Sequence, residues 1–136
     1  MFMKIRSSFL LAAGFGVMLA VPVFAHHSFA AQYDRDKPVT LIGPVTKIDW
    51  INPHARFFVD AKDANGRVVN WEVELAAPAM LMRRGWTRNS LKLGESVTVN
   101  AFAAKDGSRL ANASTVTLAD GRKVFAGSSG DAGNTP

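Results

Sequence analysis

Between residues 69 and 75 the side chains alternate without a break: Val69, Trp71, Val73 and Leu75 in one register, Asn70, Glu72 and Glu74 in the other. A period of two belongs to a strand with one face in a core and one face outward. On a helix the same residues would scatter their apolar groups around the whole circumference. Immediately upstream, Asp63-Ala64-Asn65-Gly66 has the composition of a hairpin turn, and an apolar run over residues 55–61 lies before it. Two strands joined by a tight turn pair antiparallel, so the middle of the chain is committed to β structure.

The flanking segments extend this pattern. Residues 39–48 read as a first strand whose inward parity changes: Val39, Leu41 and Val45 share one register, Ile42, Ile48 and Trp50 the other. Gly43-Pro44 lies at the change and predicts a bulge or sharp bend there. After the third strand, Pro78 occupies a first helical position, Met80, Leu81 and Met82 follow, and Arg83, Arg84 and Gly85 close a helix of about two turns. Leu91-Lys92-Leu93-Gly94 turns into a fourth strand at 97–102. Asp106-Gly107 and Asp120-Gly121 mark turns around a fifth at 115–118 and a last short strand at 123–125. Three strands, a short helix and two further main strands match a small all-β, OB-like barrel of five strands, with the helix plugging one open end. An immunoglobulin-like sandwich would need about seven strands and no helix.

Residues 1–25 are of a different kind. Lys4 and Arg6 precede an uncharged apolar run over 9–21, and small residues stand at the end of Pro22-Val23-Phe24-Ala25. That order is a secretory signal peptide, expected to be cleaved after Ala25. The run is shorter than the ~20 apolar residues of a spanning helix and is broken by Gly14, Gly16 and Pro22, so no membrane span is expected after cleavage. The leader holds two of the 16 basic side chains and no acid, leaving 14 against 11, a net +3. The expected product is periplasmic or secreted and comprises an extended lead-in at 26–37, one domain at 38–126, and a Gly/Ser-rich tail at 127–136 read as disordered. It has no cysteine, so its core alone must hold it together.

Several stretches together resemble an uncharacterised family of small exported bacterial proteins: Ala-His-His-Ser-Phe at 25–29, Trp-x-Asn-Pro-His at 50–54, Trp71-Glu72, Gly85-Trp86 and Leu91-x-x-Gly94. The resemblance covers nearly the whole exported chain. It implies export and these domain limits, and it carries no activity.

Chemistry therefore has to be read from the residues. Asn52-Pro53 presents His54 in a reproducible direction from the connection between the first two strands, and Trp50 and Asn52 flank it as candidate ligand-binding residues. The other histidines, His26 and His27, would open the exported chain. An α-amine and three imidazoles are nitrogen ligands suited to Cu(II), which makes His26, His27 and His54 a candidate copper site. The plain alternative is a frayed terminus and a histidine that packs a turn. Glu72 and Glu74 share a strand face but carry no sign of a raised pKa, and a solvated outer face is expected for them. Arg83, Arg84, Arg88 and Lys92 gather near the helix end, where cations complement its dipole. Export removes most nucleic acid from reach. No catalytic motif is present, so two expectations follow: a non-enzymatic binding or accessory module for a small ligand or exported partner protein, with no cofactor required, or a copper-binding protein.

Overall fold

The computed structural model describes residues 29–127. They form one six-stranded sheet: β1 (Tyr33–Asp49), β2 (Arg56–Lys62), β3 (Val68–Glu74), β4 (Ser96–Ala104), β5 (Leu110–Thr117) and β6 (Lys123–Phe125), with helix α1 (Pro78–Arg83) between β3 and β4. The sheet order is β3-β2-β1-β4-β5-β6, and every pair of neighbours in that order is antiparallel. β3 also pairs with β5, in parallel, through Glu72↔Leu110, Val73↔Ala111 and Glu74↔Asn112. No helix among the described residues is long and apolar enough to cross a membrane.

The main core follows the alternation. Phe57 and Val59 of β2, Val73 of β3, Val97 and Val99 of β4 and Val116 of β5 are buried together with Leu81 of α1 and Trp86 beyond it. Pro78 opens the helix as expected, and the Trp86 indole then donates to the Phe125 carbonyl oxygen at 3.0 Å. Arg84, expected to answer the helix dipole, instead donates to the Gly127 carbonyl oxygen at 2.9 Å and stacks over the Phe125 ring at 4.1 Å, tying β6 to the helix. Gly127 itself is buried, so the expected tail begins inside the packed structure; residues 128–136 lie outside the described residues.

Two expectations about β1 need correction. The strand begins at Tyr33, not near residue 39, and a helical turn at 29–32 precedes it, so the extended lead-in at 26–37 is replaced from residue 29 onward by packed structure. The cause is a second, smaller core: Phe29, Tyr33 and Ala104, with Phe102 and Leu110 packed against them. Ala101 belongs to the main core, so Phe102, its neighbour in the strand, faces the other side of the sheet. Residues 29–33 therefore fold over the sheet's outer face. The parity change also lies later than Gly43-Pro44. Leu41, Gly43 and Val45 all face inward, and the register shifts between Val45 and Lys47, which turns Ile48 towards the core. Gly43 has a different reason: a Cβ there would overlap the Asp60 carbonyl oxygen, so glycine lets β1 and β2 approach closely.

Candidate functional site

The outer face that Tyr33 covers is built by strand register. Arg56 pairs with Glu74 across β2 and β3, and Glu74 with Asn112 across β3 and β5. Three polar side chains thus stand side by side on the face opposite Phe57 and Val73. Glu72, two residues before Glu74, shares that face. The Arg56 guanidinium donates through Nη1 to Glu72 Oε1 at 2.5 Å, and its Nη2 lies 3.7 Å from Glu74 Oε2. Asn112 Nδ2 donates to Glu74 Oε1 at 3.2 Å.

Burial makes this row more than a surface ion pair. Glu74 is 7 % exposed, Asn112 1 % and Tyr33 2 %. The expectation of a solvated outer face therefore fails for Glu74: β5 flanks it on one side, β2 on the other, and Tyr33 lies over the row. Tyr33 Oη and Asn112 Oδ1 have no hydrogen-bond partner. The hydroxyl faces the Glu74 carboxylate and interacts with it weakly, outside ordinary hydrogen-bond geometry. Burial first, then the Glu74 charge and the weak hydrogen-bonding contact with it, push the Tyr33 hydroxyl far above the usual tyrosine range, while Arg56 acts against them. Two carboxylates against one guanidinium leave the row with a net negative charge.

The Trp50–His54 corner lies at one end of β2. The Asn52–Pro53 peptide bond is cis, and His54 is half-buried with Nδ1 3.0 Å from the Leu75 carbonyl oxygen. A carbonyl only accepts, so the neutral ring carries its proton on Nδ1 and its lone pair on Nε2. Trp50 is half-buried against the main core, and Asn52 is exposed. His26 and His27 lie outside the described residues. Among the described residues, no group of three or more His, Cys, Asp or Glu could hold a metal ion.

Sequence reasoning missed Tyr33, Arg56 and Asn112. The available signal was parity: Arg56 shares the outward register of β2, and Asn112 is a lone amide between Ala111 and Ala113. Neither points at Glu74 until β5 is known to lie beside β3. A family model, described as a family of unknown function (DUF6152), matches residues 16–113, more than half of the chain. No curated protein matches the chain.

Proposed function

We propose, from the premise that the chain belongs to this family of unknown function, that it is an exported, non-catalytic binding module on an OB-like barrel. In this reading the row Arg56–Glu72–Glu74–Asn112 under Tyr33 is its ligand site. The barrel reading is supported by the parallel β3–β5 pairing, which completes a circuit β1-β2-β3-β5-β4-β1, and by the helix between β3 and β4. Export is supported by the basic, apolar and small-residue order of residues 1–25. Intact mass of the exported protein checks it: a chain beginning at His26 is expected, and an uncleaved chain rejects it.

The observation that carries the binding reading is the pair of unpartnered polar atoms, Tyr33 Oη and Asn112 Oδ1, at a buried charged row. Each such atom costs about 1–3 kcal/mol if nothing satisfies it. Sites kept for a ligand carry costs of this sort, and removing the group relieves them. Tyr33→Phe deletes one of the two and leaves the packing of the ring. Its unfolding free energy should equal or exceed the wild-type value. A loss above about 1.5 kcal/mol would mean that the hydroxyl already has a structural partner, and the reading would fall.

One observation favours the copper reading as a second. The Nδ1 bond to the Leu75 carbonyl holds His54 in the tautomer and orientation that metal-ligating histidines adopt, with Nε2 available. Cu(II) affinity, measured by chelator competition, should fall well beyond tenfold in His54→Ala relative to a chain beginning at His26. One extra residue before His26 should be equally damaging. Equal affinity in all three rejects this reading.

A further inference from the structure

We propose that the cluster of Tyr33, Arg56, Glu72, Glu74 and Asn112 binds a primary ammonium group. This rests on the binding reading above and names the ligand class. Charge sets the sign: Glu72 and Glu74 share one guanidinium, so two carboxylates against one cation leave the cluster an excess of negative charge that favours a further cation. Hydrogen-bond capacity sets the shape. Asn112 Oδ1 has no partner, and its amide is already held at the site because Nδ2 donates to Glu74. Glu74 Oε2 is 3.7 Å from Arg56 Nη2, beyond hydrogen-bond reach, and keeps its lone pairs. Tyr33 Oη faces Glu74 through its hydrogen and offers its oxygen lone pairs, which accept from no group, as the third acceptor.

Three acceptors match the three N–H donors of an ammonium group, whereas a water molecule brings only two. A divalent metal ion fits less well: only two carboxylates are present, and the Arg56 guanidinium already stands between them. A second guanidinium would have to displace the first. Access lies on the Arg56–Glu72 side, where the side chains are 42 % and 29 % exposed.

The ammonium has two sources with the same chemistry. One is a separate amine ligand. The other is the chain's own α-amine, which cleavage after Ala25 would create at His26, three residues before Phe29. Phe29 packs on Tyr33 with ring centroids 5.4 Å apart.

The test follows the Asn112 side-chain amide by two-dimensional NMR as methylammonium chloride is added. Tetramethylammonium chloride is the control, since it carries the charge but no N–H. Two preparations are used: the chain beginning at His26, and the same chain acetylated on its α-amine. A saturable shift with methylammonium alone is expected, and Glu74→Gln should weaken it by roughly tenfold or more, the worth of one charge-assisted hydrogen bond. Should that variant fail to fold, the tetramethylammonium control on wild-type protein decides. Saturation in both preparations supports a separate amine as the ligand; saturation only after acetylation supports the α-amine as the resident group. No saturable shift in either preparation, or an equal response to tetramethylammonium, overturns the proposal. With Tyr33→Phe still as stable as wild type, such a result removes the ligand class and leaves the binding reading intact.

Discussion

A tyrosine hydroxyl buried beside a carboxylate must stay protonated for its surroundings to persist, and Tyr33 is the chain's single tyrosine. Its folded-state pKa lies above the unfolded value of about 10, so below that pH the hydroxyl is neutral in both states and its ionisation costs the fold nothing. Stability is lost as pH rises beyond it towards the higher folded value. Denaturation midpoints should therefore fall above about pH 10, and Tyr33→Phe should remove Tyr33's share of that fall. Because no other tyrosine contributes, tyrosinate absorbance reports this residue alone: ionisation should coincide with unfolding, and an ordinary titration of folded protein would contradict the burial. Gly43 makes the opposite point about what a sequence discloses. Glycine with proline reads as a bend, yet the residue is needed for the Asp60 carbonyl that approaches it. Gly43→Ala should cost about 1–3 kcal/mol or more by overpacking, measured by denaturant titration. Glu74 was hidden for a related reason. Alternation separates two faces correctly but treats the one away from the core as wet, and nothing within residues 69–75 announces the strand and the tyrosine that cover it.

Among the elements, the turns were the most legible because their chemistry is local. Asp63, Asp106 and Asp120 each accept the backbone N–H two residues on, from Asn65, Ser108 and Arg122. These bonds reproduce the Asx-turn that their Asp and Gly residues imply. Hydrogen bonds hold all three carboxyls below their ordinary pKa, chiefly from the Arg67 backbone for Asp63, from Ser108 for Asp106 and from the Arg122 backbone for Asp120. Their contribution is present above the unfolded carboxylate value of about 3.9 and is lost as pH falls through the lower folded values. Asp63→Asn keeps an acceptor in place and should retain most of the melting temperature at neutral pH, whereas Asp63→Ala should lower it. Equal melting temperatures for the two variants would show that this cap is dispensable. The parity of β1 was legible and its cause was not. A bulge after Val45 and a close approach at Gly43 leave similar traces in sequence, and only pairing with β2 tells them apart.

For the whole molecule, the order of strands and the place of α1 could be read because consecutive strands joined by short turns lie side by side. The outer layer could not. Phe29 and Tyr33 find Phe102 and Ala104 some seventy residues away, and no local period records a contact of that separation. The same separation divides β1 into two halves with different histories. Residues 45–49 pair with β2, which is made almost at once, whereas residues 38–44 pair only with β4. A chain that emerges from its N-terminus thus carries half a strand whose partner does not yet exist, and such an open edge invites pairing with other chains. Pro38 and Pro44 lie at the two ends of that waiting segment, and neither has an N–H to offer. Their expected service is in time rather than in the finished fold: a half-strand closed at both ends by proline is a poor template for other chains until β4 arrives. Replacing both with threonine should leave the unfolding free energy of purified protein nearly unchanged while diverting newly made chains into aggregates. The ratio of soluble to sedimented product at equal expression measures this, and an unaltered ratio would assign the prolines to shape alone.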